Sequence, residues 1–353
     1  MRILAINPGS TSTKIAVFED ENPIYHKTIR HSAAELAQYT SVEEQYEFRK
    51  NLIVSELQAA GLPMDFCVIM GRGGLLKPMP GGVFEVNERM RQDIVNAPRK
   101  HACNLGGLIA AELATSIPGC RAFIADAGVT DELDEVARVT GCPLVPKITI
   151  FHALNQKAIA RKYAASVGKK YEELNLVIAH LGGGISVGAH KRGRVVDVNN
   201  ALDGSGPFSP ERSGTMQAGE LVNLCFSGNY TKKEIVSMIF GKGGLMAHFG
   251  TNDAKELSDR ANSGDEQVAL VIRAMLYNVG KEIAAMAAAL NGEVNAILLT
   301  GGMAYDKQWM EAIENQVKFL APVHIYPGED ELEALALSGL RVMRGEQEVQ
   351  EYK

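Results

Sequence analysis

The sequence predicts an α/β protein of two domains, and three observations support this class. The chain has 353 residues, which is long enough for two domains that each bury their own core. Short apolar strands alternate with helical patterns along the chain. A pattern of strand, polar turn and strand at the N-terminus returns in the second half, which suggests an internal duplication.

The composition is that of a folded globular protein, with 46% hydrophobic and 22% charged residues. A net charge of -6 without a basic run argues against nucleic-acid partners, because binding to phosphate backbones depends on clustered Lys and Arg. The five cysteines are scattered without a CxxC pair, so neither a disulfide framework nor a zinc site is expected. No stretch approaches 18 uninterrupted apolar residues, and the N-terminus lacks the pattern of a secretory signal. We therefore expect a soluble, cytoplasmic protein with no membrane partner.

The first half contains strands and one well-marked helix. Residues 3–6 and 15–18 are predicted strands on either side of the polar turn 7–14. Residues 41–60 are predicted to form a helix, because Ser41 and Glu44 fit a capping box and apolar residues follow at helical spacing. Strands 67–70 and 122–125 each run into a loop, at 71–74 and 126–130, and α/β proteins commonly place their chemistry at such loops.

The second half repeats this arrangement. Strands are predicted at 176–179, 185–189 and around 195–198, with the glycine-rich turn 180–184 between the first two. A long helix at 267–290 precedes a strand at 296–300 and the loop 301–303, and the last helix begins near Glu331. We place the first domain at 1–145, completed by 331–353, and the second at 146–330. No low-complexity linker separates them, which favours a cleft between two closely packed domains.

Three turns rich in small residues are the informative motifs, at 7–14, 180–184 and 301–302. Glycine lets the backbone approach an anion closely, and hydroxyl and N–H groups can then bind phosphate oxygens. A Walker P-loop and a GxGxxG dinucleotide motif are both absent from the sequence. An isolated turn of this kind is usually structural, whereas the set of three is more specific for a nucleotide site.

Four segments carry a family resemblance: NPGSTSTK at 7–14, HLGGG at 180–184, ERSG at 211–214 and TGG at 300–302. In order and spacing they resemble the signature segments of the acetate and butyrate kinases. The resemblance implies the actin, Hsp70 and sugar-kinase fold, with two duplicated actin-like (ribonuclease H-like) ATPase domains and an interdomain cleft. The HLGGG variant and the segments ADAGVTDEL, FHALNQKA and YPGEDE favour the butyrate kinases within this family.

The resemblance implies which residues face the transferring phosphoryl group. They are Asn7, Ser10, Ser12 and Lys14 in the first turn, and His180, Gly182, Gly183 and Gly184 in the second. Arg72 and Arg212 match the two active-site arginines of the family, and the planar guanidinium suits both a carboxylate and a phosphoryl oxygen. The structural alternative for Lys14 and the two arginines is a solvated surface position.

Further matches concern catalysis, the metal and the adenosine. His152 matches an active-site histidine and Asp126 the essential aspartate, although a histidine on an apolar face is more often a core residue. The implied ligands of Mg²⁺, which prefers oxygen donors, are Asp126 and one carboxylate of 329–331, with Glu331 as the first choice and the other two left open. The alternative for 329–331 is an acidic helix start. The implied adenosine contacts are Asp253, Lys255, Gly302 and Met303, with Lys255 standing where the family has arginine. His101 lies one position out of register with another family histidine.

The implied reaction is reversible, ATP-dependent phosphorylation of the carboxylate of a short-chain fatty acid, with butyrate as the first choice. Isobutyrate or an acetate-type acid is an alternative, and a sugar kinase or a non-catalytic Hsp70-type ATP clamp is a more distant one. The ligands are ATP/ADP, Mg²⁺ and a small carboxylate, and a homodimer or higher homo-oligomer is expected. Apolar residues near Arg72 could line the acyl pocket or form core or dimer packing: Met70, Leu75, Leu76, Met79 and Pro80.

Overall fold

The computed structural model describes residues 1–353 and contains twelve β-strands. They are β1 (Arg2–Pro8), β2 (Ser12–Glu19), β3 (Asn22–Arg30), β4 (Val68–Arg72), β5 (Val83–Glu85), β6 (Arg121–Ala125), β7 (Asn175–Leu181), β8 (Ile185–Lys191), β9 (Arg194–Val198), β10 (Ala296–Gly301), β11 (Val323–Pro327) and β12 (Val349–Gln350). Every strand predicted from the sequence is present. The strand that precedes the loop at 71–74 is longer than predicted, since β4 includes Gly71 and Arg72.

Thirteen α-helices accompany these strands. They are α1 (Ala33–Leu36), α2 (Tyr46–Ala59), α3 (Glu88–Val95), α4 (Leu105–Thr115), α5 (Glu135–Arg138), α6 (Ala153–Ser166), α7 (Ala218–Cys225), α8 (Lys232–Ile239), α9 (Gly244–Phe249), α10 (Ala254–Asn262), α11 (Glu266–Ala289), α12 (Lys307–Val317) and α13 (Glu331–Met343). None of the helices is long and apolar enough to cross a membrane.

The chain divides into two compact units. The first unit contains Met1–Asp131 together with Asp330–Lys353, and the second contains Glu132–Glu329. Residues 132–145, which the sequence analysis assigned to the first domain, belong to the second unit. Their contacts explain this: the Asp134 N–H donates to the Val196 carbonyl at 3.0 Å, and the Val195 N–H donates to the Glu132 carboxylate at 2.9 Å.

The sheet of the first unit has the strand order β12-β5-β6-β4-β1-β2-β3. Strands β1, β2 and β3 form an antiparallel meander, while β4 pairs parallel with both β1 and β6. Because β1, β4 and β6 run parallel, their C-terminal ends lie at one edge of the sheet. These ends carry Asn7, Arg72 and Asp126, so the topology alone groups three of the predicted site residues.

The sheet of the second unit has the strand order β11-β10-β7-β8-β9. An antiparallel meander of β7, β8 and β9 again stands beside two parallel strands, β10 and β11. This order matches the segment β6-β4-β1-β2-β3 of the first unit strand for strand. The predicted internal duplication is therefore confirmed, and β5 and β12 are additions to the first copy.

Each sheet is covered by helices that bury its apolar side chains. In the first unit α4 packs on β4 and β6, and α13 packs on β1 and β4. Gly339 of α13 allows this approach, since a β-carbon there would lie 2.9 Å from the Met70 sulfur. In the second unit α11 packs on β7 and β8, and α6 packs on β7 and β10.

The predicted helix at 41–60 begins later than expected, and its predicted capping box is wrong. A 3₁₀ turn at Glu43–Gln45 comes first, and α2 follows it. Glu44 turns back to Thr40, accepting hydrogen bonds from the Thr40 N–H and hydroxyl, each at 2.8 Å. Thr40 and Ser41 can each form local hydrogen bonds with the Glu44 carboxylate, and the sequence does not show which of the two does so.

Candidate active site

Arg49, a fully buried arginine of α2, supports the turn between β1 and β2 through hydrogen bonds. Its Nη1 donates to the Gly9 carbonyl at 2.9 Å and the Ser12 carbonyl at 3.2 Å, and Nη2 donates to the Ser10 carbonyl at 3.3 Å. The Gln45 amide oxygen accepts from Nε and Nη2. Burial lowers the pKa of Arg49 to about 10. The turn is thus fixed through its carbonyl groups.

Three side chains meet at the ends of β1, β4 and the start of α13. Glu331 Oε2 accepts from Arg72 Nη1 at 2.6 Å and from Asn7 Nδ2 at 2.5 Å. Arg72 Nη1 also lies 3.3 Å from Asn7 Oδ1. Glu331 is buried, whereas the Arg72 side chain is 32% exposed. The carboxylate therefore orients the guanidinium while leaving part of it accessible to solvent.

Asp126 follows β6 in a conformation that is uncommon for a residue with a side chain, with φ of 38°. Its Oδ1 accepts from the Gly82 N–H at 2.8 Å, and its own N–H donates to the Gly82 carbonyl at 2.9 Å. The residue is only 3% exposed. Two hydrogen bonds to one glycine therefore fix both the backbone and the carboxylate of Asp126.

The remaining residues of the first turn present their side chains in different ways. Lys14 pairs with Asn7 in the β1–β2 ladder and is exposed, as is Ser10, while Ser12 is half-buried. His101 Nε2 lies 3.5 Å from Ser10 Oγ. Because His101 Nδ1 accepts the Cys103 N–H, a neutral His101 carries its proton on Nε2 and donates to Ser10. The structure thus brings His101 to the turn despite its shifted register.

In the second unit His180 lies at the end of β7 and is almost fully buried. Its Nδ1 is 2.8 Å from the Asn155 amide oxygen, and its Nε2 is 3.1 Å from Glu329 Oε1. The rings of His180 and His152 are stacked, with 3.8 Å between centroids and 11° between planes. Two of the predicted catalytic residues therefore form one rigid pair.

The glycines of the HLGGG segment make room for charged side chains. A β-carbon at Gly184 would overlap the guanidinium of Arg212, and one at Gly182 would lie 2.9 Å from Glu329 Oε1. A β-carbon at Gly183 would make only an ordinary contact with the Glu211 carboxylate, at 3.4 Å. The segment is therefore a packing surface for an arginine and two glutamates, which a sequence motif alone does not reveal.

Arg212 is held against this turn with part of its hydrogen-bonding capacity unused. Nη1 donates to the Ala201 carbonyl at 2.7 Å, and Cζ lies 5.2 Å from the centroid of the Phe240 ring. The buried Nε has no hydrogen-bond partner. Burial lowers the pKa of Arg212, an effect that nearby Glu211 opposes. A buried donor without a partner is costly, so an anionic ligand would satisfy it.

Three of the predicted adenosine residues, Lys255, Gly302 and Met303, line one cavity of about 500 Å³. Tyr305 and Trp309 supply aromatic surface in the same cavity. Asp253 instead caps α10, with its Oδ1 accepting from the Lys255 and Glu256 N–H groups, each at 3.0 Å. Its observed contacts are thus those of an N-cap residue.

The apolar residues near Arg72 are mostly in the core of the first unit. Met70 is fully buried, and Leu76 and Met79 belong to a buried cluster with Phe84 and Met90. Leu75 is half-buried and Pro80 is exposed. Among the five candidates for the acyl pocket, the last two are therefore the more accessible.

Sequence reasoning missed several buried polar residues around these groups. Arg49 stood in a helical pattern with nothing to mark it, since a lone arginine in an amphipathic helix is usually exposed. Asn155, Gln156 and Lys157 gave a signal, because three consecutive polar residues interrupt the apolar face of a helix. All three are buried, at 3%, 0% and 3% exposure. Lys157 is paired with Glu132 at 2.7 Å.

Two units with one shared strand order define an actin-like ATPase fold. The crystal structure of acetate kinase from Porphyromonas gingivalis superposes with a TM-score of 0.76, at 18% identity, over 97% of this chain and 99% of that chain. A propionate kinase from Francisella tularensis gives a TM-score of 0.73, at 17% identity, over 95% of this chain and 98% of that chain. These likenesses confirm the predicted fold class.

Sequence comparison identifies the family. Residues 148–327 match the acetokinase family. A probable butyrate kinase from Bacteroides thetaiotaomicron is 57% identical over 100% of both chains. Butyrate kinase 1 of Clostridium acetobutylicum is 52% identical over 100% of this chain and 99% of its own. The chain belongs to the acetokinase family, so the resemblance stated from its motifs is confirmed.

Proposed function

We propose that the chain transfers the γ-phosphoryl group of ATP to the carboxylate of butyrate, reversibly, giving butyryl phosphate and ADP. The single observation that carries this proposal is Arg212, whose buried Nε lacks a partner beside the HLGGG turn. A phosphoryl or carboxylate oxygen would accept a charge-assisted hydrogen bond from this donor, which is stronger than a bond to a neutral hydroxyl. Full-length similarity to proteins named butyrate kinase supports the choice of acid.

The reaction brings two anions together, and this determines what the side chains must do. The carboxylic acid is already ionised near pH 7, so the nucleophile needs no general base. We assign Arg72 to the substrate carboxylate, since Glu331 and Asn7 fix its guanidinium through one nitrogen. Arg212, Lys14 and the backbone of Gly182, Gly183 and Gly184 are assigned to the phosphoryl oxygens.

The residues of the first unit also suit a magnesium ion that arrives with ATP. Asp126 and Glu331 offer carboxylate oxygens, and Mg²⁺ commonly uses one or two carboxylates with waters and phosphates. No group of three or more His, Cys, Asp or Glu side chains forms a metal cage, so a permanently bound metal is not part of the proposal. The ion would supply charge neutralisation on the phosphates. Its site, a homo-oligomeric state and a cytoplasmic location stay predictions.

A panel of acceptors tests the proposal directly. Butyrate, isobutyrate, acetate and glucose are each incubated with MgATP and hydroxylamine, and acyl hydroxamate and ADP are measured separately. We expect hydroxamate with butyrate and none with glucose. A pocket discriminates each methylene by about 1 kcal/mol, so isobutyrate is expected to react and acetate to react less well. ADP release with glucose and no hydroxamate from any acid would overturn the proposal.

The two arginines divide the kinetic effects in this assignment. Arg212→Ala is expected to lower kcat much more than it raises the KM for butyrate, because its role is in the transition state. Arg72→Ala is expected chiefly to raise the KM for butyrate. Lysine at either position should restore activity only in part, since it lacks the planar fork. Wild-type kinetics in both alanine variants would remove the pair from the mechanism.

A further inference from the structure

In the second unit, a series of hydrogen bonds between side chains links Tyr171 to His152. Tyr171 OH lies 2.6 Å from His190 Nδ1, and His190 Nε2 lies 2.9 Å from the Gln156 amide oxygen. Gln156 Nε2 is 2.8 Å from Ser186 Oγ, and Ser186 Oγ is 2.8 Å from His152 Nδ1. Tyr171 is 3% exposed, and His190, Gln156 and Ser186 are 0% exposed. His152 is half-buried, so this series of hydrogen bonds runs from the interior of the unit to the imidazole of a predicted catalytic residue.

A backbone carbonyl determines which atoms donate and which accept in this series of hydrogen bonds. Gln156 Nε2 donates to the Ser186 carbonyl at 3.0 Å, and a carbonyl can only accept. The amide oxygen of Gln156 must therefore face His190, whose Nε2 carries a proton. Gly188 leaves room for this arrangement, because a β-carbon there would lie 2.6 Å from Gln156 Oε1. The orientation of the amide is thus fixed by contacts of its own nitrogen and oxygen.

The same direction continues to His152. Ser186 Oγ accepts the second N–H of Gln156 at 2.8 Å and the backbone N–H of His152 at 3.4 Å, which uses both of its lone pairs. Its own proton is therefore donated to the remaining neighbour, His152 Nδ1 at 2.8 Å. A nitrogen that accepts this proton carries none itself. Neutral His152 therefore holds its proton on Nε2.

We propose that Gln156 and Ser186 are positioning residues that fix neutral His152 as the Nε2–H tautomer, so that it acts as a hydrogen-bond donor to a phosphoryl oxygen. The inference rests on the proposed function, which requires donors facing an anion and no general base. A lone pair on Nε2 would repel that anion. The His180 ring, which is hydrogen-bonded to Asn155 of α6, stacks on the His152 ring and fixes its plane.

Nitrogen NMR measures the tautomer without any turnover. The protein is labelled with ¹⁵N-histidine, and His152 is assigned by comparison with His152→Gln. Long-range ¹H–¹⁵N spectra are recorded well above the histidine titration range for wild type, Ser186→Ala and Tyr171→Phe. We expect only the Nε2–H form in wild type, a detectable Nδ1–H form in Ser186→Ala, and no change in Tyr171→Phe, which removes an equally buried bond at the far end. Acyl phosphate formation should fall about fivefold in Ser186→Ala, the size expected for the loss of one ordinary hydrogen bond.

The outcomes are separable from those of the acceptor panel. An Nδ1–H signal for His152 in wild type, or an unchanged tautomer in a folded Ser186→Ala protein, overturns the inference. If Ser186→Ala fails to fold, the wild-type spectrum alone decides, because the hydrogen-bond direction requires one tautomer. The expected spectra together with no hydroxamate from any acid would support the positioning role of Ser186 and overturn the proposed reaction.

Discussion

The guanidinium of Arg212 occupies the volume that a β-carbon at Gly184 would fill. The last glycine of the HLGGG segment is thus required by a side chain that lies 28 positions further along the chain, and not by its own backbone conformation. Arg212 also keeps a buried Nε without a partner. A side chain at Gly184 would therefore displace the Arg212 guanidinium, so substitutions at the two positions are expected to have related effects.

Gly184→Ala is expected to lower kcat by about 100-fold, since it displaces a donor assigned to the transition state. Steady-state kinetics with butyrate and MgATP measure this effect. The matched control is Gly219→Ala in α7, where a β-carbon meets nothing within 4 Å. Equal activity in the two variants, with both melting like wild type, would contradict the role of this packing.

Glu331→Gln is expected to lower the free energy of unfolding by about 1–3 kcal/mol, because it removes the charged partner of Arg72. The KM for butyrate should rise in the same variant as the guanidinium loses its orientation. Urea unfolding and butyrate kinetics measure the two effects. Glu333→Gln is the control, as it removes a carboxylate from the same first turn of α13. A stability loss of equal size in both variants would point to the helix end instead of the ion pair.

Asp126→Asn is expected to lower kcat by about 100-fold or more while the fold is retained. Asparagine tolerates the positive φ of this position and can still accept the Gly82 N–H. The change removes the charge and one acceptor oxygen while keeping the side-chain shape, so kcat should be measured over a range of Mg²⁺ concentrations. Asp20→Asn provides the control, since Asp20 also has a positive φ and its half-exposed carboxylate is paired only with the N-terminal amine among the ion pairs. Near wild-type turnover in Asp126→Asn would exclude a role for its charge.

Arg49→Lys is expected to raise the KM for ATP and to lower the free energy of unfolding by about 1–3 kcal/mol. A single ammonium cannot reach the carbonyls of Gly9, Ser10 and Ser12 and the Gln45 amide together, so the first turn loses part of its support. ATP titration at saturating butyrate and urea unfolding measure the two effects. Arg30→Lys, at an exposed position ending β3, is the control. An unchanged KM for ATP in Arg49→Lys would show that the turn keeps its shape without the guanidinium.

His31 gives the first unit a pH dependence on the acid side. Burial, and secondly the charge of Arg49, hold the pKa of His31 below its ordinary value of 6.5. The unfolded chain therefore takes up a proton that the folded protein does not, and the free energy of unfolding falls as the pH drops below about 6.5. Urea unfolding between pH 5 and 8, the range where histidine titrates, should show a shallower slope in His31→Gln. His26→Gln, an exposed change in β3, should keep the wild-type slope; equal slopes in all three would contradict the assignment.

Local sequence patterns located part of the secondary structure and identified the family. Apolar runs bounded by polar or glycine turns marked β1, β2 and the three strands of the second meander, whereas the mostly exposed β3 was not predicted. The long periodic helix was placed to within one residue at each end, as Glu266–Ala289. These features depend on neighbours in the chain, so a local pattern is sufficient to find them. The four signature segments identified the acetokinase family because they retain both residue type and order.

The contact partners of the buried polar side chains depend on the folded arrangement. Glu331 meets Arg72 because α13 packs on β1 and β4, and Arg49 reaches the first turn because α2 lies beneath it. Glu329 contacts His180 although it stands two residues before Glu331. Such contacts join residues that are far apart in sequence, and their geometry follows from strand order and helix packing. A local pattern contains no information about either, which is why the buried polar groups around the candidate site were not predicted.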